Sequence, residues 1–522
     1  HSSDFAGVIN TFKDLGNQWG HERGSTVSLN DLKVSRTKRN NLLREARSSS
    51  KKNPKKLVDY YMSALQDIDK DQNIKLKDTN GFKAMMESGG HKNPGQIRQI
   101  LFTPGLMTNV HGEVVPHPIE TGYAEGLDTF DYWNTMPGVR KGSVDKSINV
   151  SESGALNKAL LNVTRSMLIT EEDCGTDKFI ELSVSTDKKD IIDRVLARNV
   201  RGPGERGDII TQFVYNNMIN EKIEWVKVRS PLKCEAPTGV CSLCYGSLPG
   251  GQLPEVGYNV GIADGQAITE RSTQLTMRSF HTGGAAGQSG GITSGFGRIL
   301  QLVEVPETLS NKAVLSPRGG KVTKIESNAL GGKDITIDDK VTIRIPTSRK
   351  ITVRKNSIVQ KGDALTDGVL KPQELSELKS HYDAQKYMVD EFDKVYENSF
   401  HKKTFETVIR AISNNVEITE APKDSQFLRG DRSTSHYIDH LNRERKKAGK
   451  DKIKYKEYFR SIKMLPGDSQ DWLSRLGTVR LKQTVQDAAA TGMSSSIHGN
   501  DPVPAYMYGL EFGKVKPKEG YY

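Results

Sequence analysis

Four side chains near the middle of the chain have the types and the spacing that binding a nucleoside triphosphate would need. Gln274, Met277, Arg278 and His281 recur at i, i+3, i+4 and i+7, so on a helix they share one face. Methionine offers a polarizable surface for a nucleobase, arginine a planar fork for phosphate, and histidine a proton or a hydrogen bond to a phosphate oxygen. The pattern predicts a mobile lid over a nucleoside triphosphate. The spacing alone favours a plainer alternative, an ordinary helical hairpin whose His and Arg are solvated.

The sequence around these residues predicts two helical arms joined by a glycine-rich link. The link, residues 282–295, holds six glycines, and each lowers helix stability by roughly 1 kcal/mol relative to alanine. The second arm places Phe296, Ile299, Leu300 and Val303 on one apolar face, which predicts that this arm packs against other parts of the protein. We therefore expect the whole segment to fold and unfold during function.

Four cysteines form a second group of chemically capable residues. Cys234, Cys241 and Cys244 follow a C-x6-C-x2-C pattern, and Cys174 lies sixty residues upstream of Cys234. Four thiolates suit the tetrahedral coordination of a structural zinc ion, and in a cytosolic chain they favour zinc over disulfides. Four buried free thiols, or a disulfide pair, are the alternatives. The sequence thus predicts a zinc site that ties two distant segments together.

Composition indicates a soluble, basic, multidomain chain. Its 522 residues are 35% hydrophobic, with a net charge of +11, and the mean hydropathy is −0.57. No apolar run approaches the roughly 20 residues that span a bilayer, so we expect a cytoplasmic protein with no membrane partner. The positive charge favours a polyanionic partner. It is concentrated in residues 33–56 and 443–456, which could contact phosphates or form flexible solvated loops.

The sequence of the first motif resembles that of a known family. The run TQLTMRSFHTGG, residues 273–284, closely resembles the trigger loop of the bacterial-type beta-prime subunit, the largest subunit of multisubunit DNA-directed RNA polymerases. It differs from the family sequence at Ser279, where the family has threonine. The resemblance implies that Met277 lies against the incoming base and that Arg278 and His281 reach the phosphates, with Gln274 on the same catalytic face.

Residues 80–119 resemble the rim helix and F-loop of the same family, in which a basic residue near paired glycines helps to hold the triphosphate. Alignment places His91 at that position, with Lys92 beside it. Because the basic residue differs from that of the family, Lys92 is the alternative carrier of the role. A plain surface turn with two solvated cations would explain the same residues.

Residues 125–162 resemble the bridge helix, the rod that crosses the active cleft beside the trigger loop. Arg140, Lys141 and Gly154 match the family pattern, and Gly154 predicts a bend because glycine weakens a helix interior. The Thr-Ala pair that the family places under the templating base is replaced by Val150 and Ser151. These changes indicate a divergent member of the family.

The resemblance and the periodicities together predict a mixed α+β fold in several segments rather than one independently compact domain. It would combine helical cleft elements, a zinc-binding module, a small sandwich-like or barrel-like β insert and C-terminal helices. The expected segments are an N-terminal basic helical region (1–77), the rim helix and F-loop (78–124), the bridge helix (125–166), the zinc-binding module (167–262), the trigger loop (263–306), a jaw-like β insert (307–372) and a C-terminal helical cleft or clamp region (373–522).

The catalytic magnesium ligands of the family are absent from these residues. Nucleotidyl transfer needs two metal ions held by carboxylates, and the family's Asp-Phe-Asp-Gly-Asp motif does not occur here. The resemblance therefore implies a split subunit, as in giant bacteriophages, whose Mg ligands lie on a partner chain. The implied partners are the N-terminal half of beta-prime, beta-type subunits, a possible promoter-specificity subunit, template DNA, the RNA transcript and nucleoside triphosphates. For a phage-encoded chain the compartment would be the host cytoplasm.

Two other function classes fit parts of the sequence. A zinc-stapled nucleic-acid-binding subunit without catalytic duty would need the cysteines and the basic clusters only. An independent hydrolase built on Cys and His would need a free thiol of low pKa, which four metal-bound cysteines would exclude.

Overall fold

The structure, a computed structural model, describes most of the chain. The described residues are 2–24, 27–53, 56–88, 94–110, 114–202, 204–279, 292–309, 312–328, 331–347, 349–396, 398–469, 472–477, 481–492 and 501–507. Within them, no helix is both long enough and apolar enough to cross a bilayer.

The described chain contains both helices and short strands, as the predicted mixed fold implies. The helices are α1 (Ser2–Arg23), α2 (Thr37–Lys52), α3 (Leu57–Lys75), α4 (Gly81–Glu87), α5 (Pro94–Leu101), α6 (Thr129–Thr164), α7 (Lys188–Ile191), α8 (Gln212–Asn220), α9 (Ser242–Tyr245), α10 (Val260–Ser279), α11 (Ile292–Glu304), α12 (Pro372–Leu378), α13 (His381–Val395), α14 (Lys402–Ser413), α15 (Ser435–Lys447), α16 (Leu481–Thr491) and α17 (Pro502–Met507). The strands are β1 (Gly105–Thr108), β2 (Val114–Ile119), β3 (Ile180–Ser183), β4 (Trp225–Val228), β5 (Gly320–Ser327), β6 (Lys333–Ile337), β7 (Val341–Ile345), β8 (Ile358–Val359), β9 (Val416–Glu420), β10 (Arg432–Ser433) and β11 (Lys454–Glu457).

The strands form four small sheets. β1 pairs with β2, β3 pairs with β4, β9 lies between β10 and β11, and β5 to β8 form a four-stranded sheet in the order β7-β6-β5-β8. All of these strand pairs are antiparallel.

The chain divides into two compact units. The first comprises residues 1–151 and 274–293, and the second comprises residues 152–273 and 294–522. The first unit has its core where α3 buries Tyr61, Ala64, Leu65 and Ile68. Their i, i+3, i+4, i+7 spacing gives α3 one apolar face, which packs with buried residues of α2, α5 and β1.

The basic cluster at residues 33–56 is not the flexible loop that the sequence allowed. Residues 37–52 form α2, because Leu43 and Ala46 are buried along one face of it. The buried Arg39 is paired with Glu125, and Arg47 is paired with Glu120. Part of this cluster's charge therefore holds the first unit together.

The second basic cluster is also ordered. Residues 435–447 form α15, Arg445 is 2.6 Å from Asp424, and Lys450 is 3.2 Å from the same carboxylate. The loop alternative is therefore wrong for most of this cluster as well, whereas contact with phosphates stays a prediction.

The β insert expected over residues 307–372 contains four short strands. Residues 320–327, 333–337, 341–345 and 358–359 form β5 to β8. β6 lies in the middle of the sheet and buries Ile335 and Ile337. The segments around residues 315 and 351 contribute only isolated bridges.

The C-terminal helices have the amphipathic faces that the sequence predicted. Met388, Val389 and Phe392 are buried on α13. α14 is buried along most of its length, with Phe405 and Ile409 in the core. This helix lies against the cysteine-bearing segment described next.

Candidate functional site

The four cysteines come together in the second unit. Cys174 lies in the loop before β3, Cys234 follows the short 3-10 turn Pro231–Lys233, Cys241 caps α9, and Cys244 lies within α9. Their sulfurs all lie within 4.8 Å of one another. The Sγ atoms of Cys174 and Cys244, and those of Cys234 and Cys174, are 3.8 Å apart. A tetrahedral zinc site with Zn–S bonds of about 2.3 Å has sulfurs about 3.8 Å apart, so the donor set fits zinc. The cysteines are free thiols rather than a disulfide pair.

Backbone and side-chain donors surround the sulfurs. The amide N–H groups of Glu235, Cys241 and Cys244 donate to Sγ atoms over 3.3–3.4 Å. Hydrogen bonds from the other three thiols lower the pKa of Cys174, whereas hydrogen bonding to those sulfurs and burial raise the pKa of Cys244. Four closely spaced sulfurs can all be thiolates only beside a cation, which the donor set is arranged to receive.

Arg229 is a residue of this centre that the sequence reasoning missed. Its Nε donates to Cys244 Sγ over 3.3 Å, and its Nη2 faces Cys174 and Cys241 at 3.7 and 3.9 Å. Although burial lowers the pKa of Arg229, the surrounding sulfurs and Asp173 raise it further than burial lowers it. A basic side chain five residues before Cys234 was the available signal.

Arg410 of α14 fixes the loop that carries three of the cysteines. It is 1% exposed, and its guanidinium donates to the carbonyl oxygens of Pro231, Cys234, Ala236 and Gly239 over 2.7–3.2 Å. These carbonyls belong to an irregular segment, so a buried donor is needed to satisfy them. Nothing in the sequence marked Arg410, because these four carbonyl groups lie more than 170 residues away in the chain.

A buried contact joins the cysteine centre to the start of α10. The hydroxyl of Tyr245, the residue after Cys244, donates to Asp264 Oδ1 over 3.2 Å. Asp264 is 5% exposed, and burial raises its pKa to about 7. The centre, α10 and α14 are therefore held as one packed block.

The C-terminal end of α6 packs closely against the start of α10. A Cβ added at Gly261 would lie 2.0 Å from the carbonyl oxygen of Thr164, and one at Gly265 would lie 3.0 Å from the Thr164 hydroxyl. Eight residues beyond Gly261, Thr269 Oγ1 donates to Asn157 Oδ1 over 2.9 Å. Because α10 residue numbers rise as α6 residue numbers fall, the two helices run antiparallel.

Several predicted site residues lie on these two helices or outside the described residues. The backbone of Gln274, Met277 and Arg278 is in the last turns of α10, and their side chains are outside the described residues. His281, His91 and Lys92 are also outside the described residues.

The predicted bridge-helix residues all lie on α6, which is one helix through Pro137 and Gly154. Arg140 and Ser151 are exposed, Lys141 is half-buried, and a Cβ at Gly154 would meet nothing within 4 Å. The side chain of Val150 is outside the described residues.

Comparison with known proteins points to one family. Residues 126–335 match the family model of RNA polymerase Rpb1, domain 5, a range that contains α6, the four cysteines, α10 and α11. The chain is 29% identical to the DNA-directed RNA polymerase subunit beta' of Kineococcus radiotolerans over 98% of its own length, and to that of Acidothermus cellulolyticus over the same share. It is 28% identical to that of Listeria innocua over 96% of its length. The chain is similar to the beta-prime subunit over nearly its whole length.

The chain spans less than half the length of these relatives, namely 42% of the first and 44% of the third. The family resemblance that the sequence indicated is thereby confirmed, and the match is consistent with the C-terminal half of beta-prime. Within the described residues, the four cysteines are the group of His, Cys, Asp or Glu side chains placed to hold a metal ion. Such clustering argues against a Cys-His hydrolase, which would need a cysteine outside a metal site.

Proposed function

We propose that this chain supplies the bridge helix and the trigger loop of a DNA-dependent RNA polymerase, with α6 as the bridge helix and α10 to α11 as the trigger-loop arms. The observation that carries the proposal is the antiparallel packing of α10 on α6 through Gly261 and Thr269. A hairpin that closes beside a rigid rod would position the incoming nucleotide and exclude water during nucleotide addition.

The helix register supports the roles assigned to the lid residues. Gly261 of α10 contacts Thr164 of α6, and Thr269 of α10 contacts Asn157 of α6. Eight residues forward along α10 therefore correspond to seven residues backward along α6. Continued at the same rate, the next two turns of α10 bring Met277 and Arg278 level with residues 149–151 of α6. That range includes Val150 and Ser151, which match the pair that the family places under the templating base.

In this proposal each side chain of the lid has one task. Met277 lies against the incoming base, Arg278 binds phosphate, Gln274 lies on the same face, and His281 positions or protonates the departing pyrophosphate. Lys92 or His91 adds positive charge at the triphosphate, and Arg140 and Lys141 lie near the nucleotide and template.

Two metals have separate places in this scheme. Zinc, held by the four cysteines, is structural, and magnesium would activate the 3′ hydroxyl and stabilise the leaving pyrophosphate. The aspartates that hold magnesium lie outside these 522 residues. Asp131 of α6 does not replace them, since it is 2.9 Å from His117 Nε2 within the first unit. A beta-type subunit, the rest of beta-prime, template DNA, transcript and nucleoside triphosphates complete the cytoplasmic complex. A split subunit, a bacteriophage origin and a promoter-specificity subunit stay predictions.

Single-nucleotide addition by the assembled polymerase tests the proposal. His281→Ala should slow addition roughly 100-fold, within the usual contribution of general acid catalysis, while His440→Ala on α15 should leave it unchanged. If His281→Ala leaves the rate unchanged, His281 has no part in the mechanism. If lid variants lower DNA affinity but keep the rate, the chain is the non-catalytic nucleic-acid-binding subunit instead.

A further inference from the structure

Helix α1 exposes a regular apolar stripe. Phe5, Val8, Phe12, Leu15 and Trp19 follow one another at alternating spacings of three and four residues, which places them along one side of the helix. Each is between 52% and 69% exposed, and every described side chain of α1 from residue 4 to residue 22 is exposed. Large apolar side chains aligned in this way mark an interaction surface rather than scattered surface residues.

The composition of α1 indicates a helix stabilised by a partner. Gly7, Gly16 and Gly20 each weaken the helix by roughly 1 kcal/mol relative to alanine, and a Cβ at any of them would meet nothing within 4 Å. Packing inside this chain therefore does not explain these glycines. A surface that approaches the helix closely would explain them, because glycine is the residue that allows such an approach.

The width of the stripe identifies the kind of partner. With Phe5, Phe12 and Trp19 at the a positions of a heptad, Ile9 and Gly16 fall at the e positions, so the apolar face is wider than a two-stranded seam. A face of that width is typical of a helix inside a larger globular unit. In a parallel pair of copies the g and e positions would bring together Asp4 with Ile9, Thr11 with Gly16 and Gln18 with Arg23, so no ion pairs favour a parallel dimer of this chain.

We propose that α1 docks, through this stripe, into an apolar groove on the part of the beta-prime subunit that lies outside these 522 residues. The relatives have more than half of their length outside the aligned region, so a partner of sufficient size exists in the family. The stripe exposes on the order of 700 Å², close to the about 800 Å² per partner of a specific interface. The inference rests on the proposed function, because it takes the remainder of a polymerase subunit as the partner.

The test uses the full chain with the polymerase chain that carries the Asp-Phe-Asp-Gly-Asp motif. The double variant Phe12→Ser/Leu15→Ser should weaken association about 100-fold or more. The matched control Asn10→Ser/Asn17→Ser, on the opposite side of α1, should change it by less than about threefold. Since these four side chains are exposed, the variants should keep the thermal unfolding temperature of the wild-type chain.

A photoreactive amino acid at position 15 identifies the molecule that binds the apolar stripe of α1. Crosslinking to the aspartate-carrying chain is the expected result. Crosslinking to a second copy of this chain, or unchanged association of the stripe variant, would overturn the inference. The proposed function is judged separately by nucleotide addition at saturating partner concentration. If the complex extends RNA without using α1, only this inference fails. If α1 docks but lid variants keep the rate, only the proposed function fails.

Discussion

Arg229 shows at the scale of single residues how the cysteine centre is balanced. Four zinc-bound thiolates carry a net negative charge, and a buried guanidinium in contact with three of the sulfurs offsets part of it. The same side chain donates to the carbonyl of Thr176 over 2.9 Å and is paired with Asp173. It therefore orients the loop that carries Cys174 while it lowers the cost of burying the charge.

Replacing Arg229 should weaken metal binding without removing any ligand. We expect Arg229→Leu to lower zinc affinity roughly 10-fold to 100-fold, as loss of a group that orients metal ligands commonly does. Competition with a chromogenic chelator measures this affinity. Arg198→Leu is the matched control, because Arg198 is exposed and lies 3.7 Å from Asp177. Equal zinc affinities of the two variants would contradict the assigned role.

Asp264 makes the stability of the second unit depend on pH. Burial raises its pKa to about 7 from the usual value of about 3.8 for an aspartate, so the folded state binds a proton that the unfolded state releases. The protonated carboxyl therefore contributes stability below pH 3.8, and that contribution is lost as pH rises from about 4 to about 7. Above pH 7 no further change is expected from this group.

The variant Asp264→Asn should not lose stability over this pH range, because asparagine does not ionise. Its side-chain amide oxygen can still accept the hydrogen bond from the Tyr245 hydroxyl. The free energy of unfolding of the variant, relative to wild type, should rise by on the order of 2 kcal/mol between pH 5 and pH 7. Urea unfolding at several pH values measures the difference. Parallel curves for the two proteins over this range would show that Asp264 is not the group responsible.

At the scale of elements, the packing of α10 on α6 depends on small residues at the contact. Gly261 and Gly265 recur at i and i+4, so they face α6 together, and the Thr269–Asn157 hydrogen bond continues the contact one turn later. A helix whose base is held this firmly can have an end that folds and unfolds without losing its position. The rigid base and the proposed mobile lid are thus parts of one helix.

A methyl group at this contact should loosen it. Gly261→Ala should destabilise the chain by roughly 1–3 kcal/mol through overpacking, because its Cβ would meet the Thr164 carbonyl oxygen at 2.0 Å and Met167 Cβ at 2.7 Å. Gly297→Ala on α11 is the control, since a Cβ there meets nothing within 4 Å and alanine favours a helix. Thermal or urea unfolding compares them, and a Gly261→Ala protein as stable as the control would exclude the close contact.

Local patterns in the sequence predicted the elements that depend on local spacing. The cysteines were found because CxxC is a short pattern, and α13 because its apolar residues repeat at helical spacing. Arg229, Arg410 and the Arg194–Glu406 pair, whose Nη2 and Oε1 atoms are 2.6 Å apart, could not be found in the same way. Their partners are distant in the chain, and charged residues are ordinarily taken as surface residues.

The same limit applies to the basic clusters and to α1. Runs of lysine and arginine have the composition of flexible loops, yet Arg39 is paired with Glu125 and Arg47 is paired with Glu120. Helix α1 has the periodicity of a core helix but remains exposed. An apolar stripe at helical spacing does not reveal whether the partner of the helix lies in the same chain.

At the scale of the whole molecule, the four-cysteine centre brings together two segments sixty residues apart. Removing Cys174 should therefore do more than remove one ligand. We expect Cys174→Ser to lower the zinc content below one ion per chain and to reduce thermal stability, because the tie between the segments is lost. Elemental analysis and calorimetry measure the two effects. Ser242→Ala, beside Cys241 but outside the ligand set, should keep full zinc content, and equal zinc content in both variants would contradict the four-cysteine site.

The central claim is that this chain contributes a lid and a rod to an active site that another part of the polymerase completes. Extension of an RNA primer on a DNA template measures it directly, with this chain alone and with the chain that carries the magnesium-binding aspartates. The account predicts no extension by this chain alone, extension by the reconstituted complex, and slow extension when residues 273–295 are deleted. RNA extension by the isolated chain, or full-rate extension by the complex that lacks residues 273–295, would contradict this role.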